Sequence, residues 1–255
     1  MAEAASRERF ARCVEESARL LDLLRSGENV PDAVLPAGTE PRPLRVAISH
    51  RQRGDLAEAA WLGFLVTHLG WDRPASSLAV YRAGGESSRW TWREVSRDGG
   101  EEMARWVASN AEWLHVAAPF GNHRKYQSHR PTAPTGTPAV VRSFVPWLRE
   151  HQSRLASAGF GDLYRSLDRV AGMGRTARYD YLRLLGLLGI APLEADACYF
   201  AGASGPRAGA ARMFGKGLRP AELEAGAKRL ASHLGVELQA VEDALCQWQK
   251  RKNGG

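Results

Sequence analysis

The sequence has 255 residues, of which 44% are hydrophobic, so it is long enough to bury one large core or two small ones. Its 35 Lys and Arg residues exceed its 28 Asp and Glu residues by 7, which indicates an anionic partner such as nucleic acid, a membrane surface or an acidic substrate. No run of about 20 apolar residues is present and the N-terminal segment is charged, so we expect neither a membrane span nor a signal peptide.

The three cysteines, Cys13, Cys198 and Cys246, lie far apart in the sequence. They form no CxxC pair and no Cys/His spacing typical of a zinc site. We therefore expect no metal, no cofactor and no disulfide framework, which is consistent with a reducing cytoplasm.

The first part of the chain predicts a helix followed by a linker. Apolar residues recur at helical spacing across residues 5–27. Residues 28–43 contain four prolines and therefore predict a loop. We expect residues 1–45 to form an N-terminal helix with a Pro-rich linker, and residues 46–255 to form the main domain.

The middle of the chain predicts helices around one long loop. A strongly apolar helix is predicted from Asp55 to Leu69, and a second helical run from about Gly100 to Leu114. The short stretch Arg45–Ile48 is the one place that suggests a strand. Residues 119–138 are Pro-rich, polar and basic, so they predict a long loop of the kind that often carries function.

Helical patterns dominate the rest of the chain. They cover residues 140–156, 161–170, 176–188 and 237–250, and a further helix begins near Pro220. Because two-residue alternation is scarce, the sequence predicts an all-α protein. Trp248 and most of the eight tryptophans have apolar neighbours at helical spacing, so we assign them to the core.

A glycine-flanked turn separates two of these helical runs. Residues 170–182 have the sequence VAGMGRTARYDYL, in which Gly172 and Gly174 bracket a methionine. Glycines permit a sharp turn, and the amides at the start of the next helix form a site for a phosphate oxygen, beside Arg175 and Thr176. A plain turn between two packed helices is the alternative interpretation.

This stretch resembles the helix-hairpin-helix of DNA glycosylases, and the resemblance implies a helix-hairpin-helix DNA glycosylase-like fold. In those enzymes a catalytic aspartate follows the hairpin by a little over twenty residues, which matches Asp196, with Glu194 as a second choice. Members that also cleave the strand carry a lysine before the hairpin threonine, where this chain has Arg175. An arginine forms no Schiff base, so the resemblance implies base release by water without strand cleavage.

The segment GNHRKYQSHR, residues 121–130, has the composition of a base-binding loop. Amide and aromatic side chains suit the edge and the face of an extruded base, and basic side chains suit phosphates. We assign Asn122, His123, Tyr126 and Gln127 to a base pocket, and Arg124 and Lys125 to phosphate binding. A solvated basic loop remains the alternative.

Three further residues belong to the predicted site. Tyr179 and Asp180 lie one turn into the helix that follows the hairpin. We assign Tyr179 to the base pocket and Asp180 to the catalytic residues, where it binds a sugar hydroxyl or an exocyclic amine. Asp180 is equally compatible with an ion pair to Arg175 or Arg178. Arg207 lies in a Gly/Ser/Pro loop that leads into a helix, which suits a second phosphate site or an ordinary helix start.

Four stretches together resemble the alpha-glutamyl/putrescinyl thymine pyrophosphorylase family in its bacterial branch: FGNHRKYQS at 120–128, GRTARYDYL at 174–182, GASGPRAGAARMFG at 202–215 and VEDALCQWQK at 241–250. The resemblance covers most of the chain from about residue 47. It implies a glycosylase-related fold and DNA with hypermodified bases as the partner. Related members are associated with defence, in which they excise hypermodified bases from phage DNA.

Three functions follow as hypotheses. The first is a monofunctional DNA glycosylase that flips out and excises a hypermodified pyrimidine, such as glucosylated 5-hydroxymethylcytosine, from phage DNA, with Asp196 assisting bond cleavage. The second is a transferase that replaces pyrophosphate on an activated 5-hydroxymethyluracil with an amine. The third is a module that only binds modified DNA.

Overall fold

The fold is described from a computed structural model, which covers residues 2–26, 43–124 and 126–250. Within these ranges the protein is all-α, with thirteen α-helices and no strand, so the predicted fold class is confirmed. The helices are α1 (Ala2–Ser26), α2 (Pro43–Gln52), α3 (Leu56–Leu69), α4 (Pro74–Tyr81), α5 (Trp92–Arg97), α6 (Glu101–Ser109), α7 (Ala111–Ala117), α8 (Thr137–His151), α9 (Phe160–Ser166), α10 (Arg175–Leu187), α11 (Gly205–Phe214), α12 (Pro220–Leu234) and α13 (Leu238–Lys250).

Most predicted helices are confirmed, and the predicted strand is wrong. Arg45–Ile48 lies inside α2, which begins at Pro43, and Leu44, Ala47 and Ile48 are buried along one helical face. Apolar residues three and four apart form a stripe on a helix, whereas a strand would place neighbours on opposite faces. The predicted loop over residues 28–43 lies, up to residue 42, outside the described residues.

Two short helices were absent from the prediction. α4 begins with Pro74 in its first turn, and α5 begins after Thr91, whose side chain accepts a hydrogen bond from the Glu94 amide. Both are marked by helix-start signals. At eight and six residues, however, they are too short to show a clear apolar period.

The described residues form two compact units, and α1 belongs to the same unit as the chain from Leu193 onward. In this first unit α1 packs against α13, with the rings of Phe10 and Trp248 edge to face at a centroid distance of 5.7 Å. Trp248 is 5% exposed, as the sequence predicted. The expected division of the chain at residue 45 stays a prediction.

The second unit contains α2 to α10 and ends at Pro192. Helix α3 is buried on almost every side, which explains why its sequence is apolar throughout rather than on one stripe. Phe64 of α3 stacks on Phe144 of α8 at a centroid distance of 3.6 Å, and the edge of Tyr181 from α10 contacts Phe144 at 5.3 Å. Helices α3, α8 and α10 therefore form the core that supports the loops described below.

A buried carboxylate links α3 to the end of α4 and to the start of α5. Glu58 is 4% exposed, and its two oxygens accept hydrogen bonds from the Tyr81 hydroxyl at 2.8 Å and from the Trp92 amide at 2.8 Å. Burial raises the pKa of Glu58 above its ordinary value, because desolvation outweighs these two donors. The folded state therefore binds a proton at Glu58 more tightly than the unfolded chain does.

Glu58→Gln is expected to gain stability relative to wild type as the pH rises. A carboxyl group whose pKa is raised by folding stabilises most below its unfolded pKa, and this contribution is lost as the pH rises through the folded pKa. Glutamine keeps both contacts without a charge, since its oxygen can accept from Trp92 and its amide can donate to Tyr81. Urea unfolding at pH 4 and pH 7 measures the difference, with Glu86→Gln on an exposed residue as the control. The prediction would be contradicted if Glu58→Gln changed the free energy of unfolding by the same amount at pH 4 and at pH 7.

Candidate functional site

The glycine-flanked turn forms a hairpin between α9 and α10. Helix α9 continues into a 3-10 turn at Leu167–Arg169, after which the chain reverses and α10 begins at Arg175. Gly172 has a φ of +69°, in the region that favours glycine, whereas Gly174 is extended and precedes the first turn of α10. Gly174, the residue that precedes α10, has no side chain with which to cap this helix end.

The hairpin is held from two sides. On one side the Ala171 amide donates to the Ser143 hydroxyl of α8 at 3.0 Å. On the other, the Gln127 side-chain amide donates to the Gly172 carbonyl at 3.1 Å. A Cβ atom at Gly172 would lie 2.9 Å from a methyl group of Val140 and 3.2 Å from the Thr135 carbonyl, so a side chain is excluded there by contact as well as by φ.

An open cleft lies along the hairpin, with a volume of about 520 Å³. Its walls come from the hairpin and from the loop between α7 and α8, which brings together the two regions that the sequence singled out. The lining residues are Tyr126, Gln127, Thr135, Asp168, Arg169, Val170, Ala171, Gly172, Met173 and Gly174. The cleft has the size of a site for a small organic ligand or one nucleotide.

Arg124 fixes the loop to the core beneath this cleft. It is 5% exposed, and its guanidinium donates to the Thr67 carbonyl at 2.7 Å, to Asp180 of α10 at 2.9 Å and to the His123 carbonyl at 3.2 Å. The side chain of Asp180 is 24% exposed. Arg124 thus ties the loop to α3 and α10 at once.

Two buried histidines fix the other end of the loop. His68 contacts the Thr137 hydroxyl at 3.0 Å, the same hydroxyl contacts His129 at 3.2 Å, and His129 donates to the Ala118 carbonyl at 2.8 Å. Burial lowers the pKa of His68 to about 3 and lowers that of His129, so both rings are neutral near pH 7. Neutral rings suit a structural network that joins α3, the loop and the start of α8.

A small closed cavity of about 10 Å³ adjoins the cleft. Gln127, Gly172 and Met173 line both spaces, and Thr67, His68 and Arg124 face the cavity. Among the described residues, no hydrogen-bond partner is present for the buried Oγ1 of Thr67 or for the buried Oε1 of Gln127. The cavity is therefore polar on the side of Thr67, Arg124 and Gln127, and its other residues in common with the cleft, Gly172 and Met173, belong to the hairpin.

The structure places four of the predicted residues of the loop as follows. Tyr126, which is 87% exposed, and Gln127 lie on the cleft beside the hairpin. Asn122 and His123 are exposed on a 3-10 turn, where the backbone amide of Asn122 donates to the Asp72 carboxylate at 3.2 Å. Lys125 lies outside the described residues. The role of each in binding a base or a phosphate stays a prediction.

The predicted residues of α10 are less accessible than the sequence suggested. Arg175 is 9% exposed, with its guanidinium 4.5 Å from the centre of the Tyr179 ring, and Tyr179 is fully buried against Phe160. Thr176 is half-buried in the first turn. Asp180 pairs with Arg124 rather than with Arg175 or Arg178. Phosphate binding by Arg175 and Thr176, base contact by Tyr179 and catalysis by Asp180 stay predictions.

Asp196 and Arg207 belong to the first unit, whereas the hairpin belongs to the second. Asp196 is exposed and accepts a hydrogen bond from the Tyr199 hydroxyl at 2.6 Å. Tyr199 has a φ of +53°, which is uncommon for a residue with a side chain. Arg207 is exposed in the first turn of α11. The predicted partnership of Asp196 with the hairpin and the phosphate role of Arg207 stay predictions.

Sequence reasoning missed Thr67, His68 and Thr135, which face the cavity or the cleft. The first two lie in the apolar helix α3, where nothing in the pattern distinguishes a residue that faces a site from one that faces the core. Within residues 2–26, 43–124 and 126–250, no three His, Cys, Asp or Glu side chains are placed to hold a metal ion. No helix in the same ranges is both long enough and apolar enough to cross a membrane.

A family model described as alpha-glutamyl/putrescinyl thymine pyrophosphorylase clade 3 matches residues 6–253, which confirms the resemblance found in the sequence. No curated protein and no solved structure matches the chain. The family description refers to base hypermodification rather than to cleavage of an N-glycosyl bond. The first hypothesis, a hydrolytic DNA glycosylase with an abasic product and a defence role based on excision, is therefore wrong. The glycosylase-like character of the fold stays a prediction.

Proposed function

We propose that the protein modifies a base within DNA, because the chain belongs to the alpha-glutamyl/putrescinyl thymine pyrophosphorylase family, clade 3. The reaction is the transfer of an amine onto an activated 5-hydroxymethyluracil, with pyrophosphate as the leaving group. The family description names alpha-glutamyl and putrescinyl groups on thymine, which correspond to glutamate and putrescine as the amines. The cleft between the hairpin and Tyr126 carries this proposal, since it joins an anion-binding helix end to an exposed aromatic ring.

The start of α10 suits the phosphates. Its first turn follows Gly174, which lines the cleft, and a Cβ at Gly174 would meet nothing within 4 Å, so the backbone is open there. The amino end of a helix binds anions through its N–H groups and its dipole. A pyrophosphate that develops negative charge as it leaves would be stabilised there.

The charge of the chain supports DNA as the partner. Residues 43–192 contain 20 Lys and Arg against 13 Asp and Glu, which is the full excess of 7 of the whole chain. The unit that contains the cleft, residues 31–192, has 21 Lys and Arg against 15 Asp and Glu, so it carries most of the net positive charge. Electrostatic attraction to the phosphate backbone supplies most of the sequence-independent affinity of DNA-binding proteins.

The reaction exchanges one bond for another at the carbon attached to C5 of the uracil. The C–O bond to the pyrophosphate breaks, and the oxygen keeps the electron pair. The nitrogen of the amine forms a C–N bond to the same carbon and loses one proton. The glycosidic bond stays intact, so no oxocarbenium ion forms at the sugar, and Asp196 is not required for the role first assigned to it.

Mass spectrometry of a defined oligonucleotide tests the proposal. The substrate carries one 5-(pyrophosphoryloxymethyl)uracil and is incubated with the full chain and either glutamate or putrescine. We expect an amine adduct on an intact strand and one pyrophosphate released for each adduct. An oligonucleotide with thymine at the same position is the control. A free base with an abasic site, or binding without any product, would contradict the proposal.

Tyr126→Ala is expected to weaken binding of the modified oligonucleotide about tenfold, and Tyr126→Phe to leave it near the wild-type value. Stacking of a base on an aromatic ring contributes about 1–3 kcal/mol, and phenylalanine keeps the ring. Because Tyr126 is 87% exposed, neither change should alter the free energy of unfolding by more than about 0.5 kcal/mol. Fluorescence anisotropy and urea unfolding measure the two quantities. If the alanine variant bound the modified oligonucleotide as tightly as wild type, Tyr126 would not be part of the binding site.

A further inference from the structure

The closed cavity beside the cleft presents three kinds of hydrogen-bonding group. The Thr67 hydroxyl can donate or accept, the Gln127 carbonyl oxygen can only accept, and the Arg124 guanidinium can only donate. Thr67 is 1% exposed, and its Oγ1 has no partner within the described part of the chain, nor has Oε1 of Gln127. Buried polar atoms of this kind are uncommon and call for a ligand or an ordered water.

The orientation of the Gln127 amide is fixed by its neighbour. The carbonyl oxygen of Gly172 can only accept a hydrogen bond, so the atom 3.1 Å from it is the Gln127 nitrogen. The acceptor of Gln127 is therefore the atom left for another donor. Gly172 is also the position where a Cβ would approach this nitrogen to 3.4 Å, so the hairpin and Gln127 are fitted to each other.

We infer that Gln127, Thr67 and Arg124 read the imide edge of a 5-substituted uracil, an assignment that rests on the proposed function. This edge presents an acceptor, a donor and an acceptor at O2, N3 and O4. An acceptor on Gln127 with donors on Thr67 and Arg124 is its complement. Cytosine has an acceptor at N3 and a donor at its amino group. Its N3 would therefore face the Gln127 oxygen, and two acceptors would oppose each other. Substituents at C5 leave the imide edge unchanged, so the same groups recognise uracil whatever it carries.

Met173 separates this edge-reading cavity from the cleft. Its side chain is 6% exposed and lines both spaces. The cavity has room for about one water, so a pyrimidine edge enters only when the methionine side chain withdraws. Methionine is unbranched and adopts several rotamers at low cost, which suits a removable wall.

Binding of three oligonucleotides to the full chain tests the inference. They share one sequence and carry 5-hydroxymethyluracil, N3-methyl-5-hydroxymethyluracil or 5-hydroxymethylcytosine at one position. We expect wild type to bind the first about tenfold more tightly than the other two, since each lacks the N3 donor. Equal affinity for all three oligonucleotides would overturn the inference. This comparison uses only the wild-type protein, so it does not depend on the folding of a variant.

Thr67→Val provides the second arm. Valine has the shape of threonine, and no hydrogen bond between Oγ1 and another described residue is lost, so we expect a Tm within about 2 °C of wild type. Affinity for 5-hydroxymethyluracil should fall about fivefold, the effect of one neutral hydrogen bond, while affinity for the cytosine analogue stays unchanged. An equal loss for both bases, or no loss for uracil, would overturn the role of Thr67.

Gln127→Met should reduce the preference for uracil over cytosine to less than about twofold, and Gln52→Met, on an exposed residue of α2, should leave it intact. A preference that survives in Gln127→Met would overturn the assignment. Binding is measured without an amine, so the outcome is separate from that of the transfer assay. If the protein prefers uracil but transfers no amine, the edge-reading site is supported and the proposed reaction is wrong. If it transfers an amine but does not prefer uracil, the reaction is supported and the edge-reading site is wrong.

Discussion

Gly172→Ala is expected to lower the free energy of unfolding by about 3 kcal/mol and the rate of amine transfer by about 100-fold. The backbone at φ +69° disfavours a side chain by about 1–2 kcal/mol. Overpacking adds about 1–3 kcal/mol, since the new methyl group would lie 2.9 Å from Val140 and 3.2 Å from the Thr135 carbonyl. Relief of these contacts moves the hairpin, and a shift of about 1 Å at a site can cost 100-fold in rate.

Alanine substitutions at two other glycines separate the backbone contribution from the packing contribution to this loss of stability. Gly54 has a φ of +80° but open space around a Cβ, so Gly54→Ala should cost only the backbone term of about 1 kcal/mol. Gly174 is extended and also open, so Gly174→Ala should cost about 0.5–1 kcal/mol, the difference between glycine and alanine before the first turn of a helix. Urea unfolding of the three variants gives the order. A cost for Gly172→Ala no larger than that for Gly54→Ala would show that the hairpin is not tightly packed.

The sequence predicts the hairpin and the loop well because each depends on local chemistry. The glycines at 172 and 174 mark a sharp turn, and a polar, Pro-rich segment predicts a loop. Tyr126 and Gln127 were assigned to the site from side-chain chemistry alone, and the structure places both beside the hairpin. The apolar face of Arg45–Ile48, in contrast, is too short a pattern to distinguish a helix from a strand.

The groups beneath the cleft were not predictable, because their roles arise from contacts distant in sequence. Arg124 and Asp180 are 56 residues apart, and Gln127 and Gly172 are 45 residues apart. A basic side chain in a basic loop suggests a phosphate contact, yet Arg124 points into the core and holds α3 and α10. Thr67 lies in a helix whose pattern indicates only burial.

The error in the reaction has a different origin from the errors in structure. A glycine-flanked hairpin, even if it binds a phosphate, carries no information about which bond is broken. The inference of hydrolysis rested on the spacing of Asp196 and on the arginine at 175, both taken over from enzymes whose hairpin sequence is similar. Folds and local motifs host many reactions, so the chemistry must be argued from the groups that meet the substrate.

Arg124→Met is expected to lower the free energy of unfolding by about 2–4 kcal/mol. The change removes the donors to Thr67 and Asp180 and leaves a largely buried carboxylate without its partner, and breaking a buried ion pair costs about 3–5 kcal/mol before allowance for the partial exposure of Asp180. Arg165→Met breaks an exposed pair with Asp162 and should cost about 0.5 kcal/mol or less.

A double-mutant cycle with Asp180→Asn then isolates the pair, because Arg124→Met combined with Asp180→Asn should cost less than the sum of the single changes. Arg124→Met should also remove the uracil preference, because it deletes a proposed donor to the imide edge together with the anchor that positions Gln127, and Arg165→Met should not reproduce this effect. Similar costs for Arg124→Met and Arg165→Met, or additive costs in the cycle, would mean that the loop holds its place without this pair.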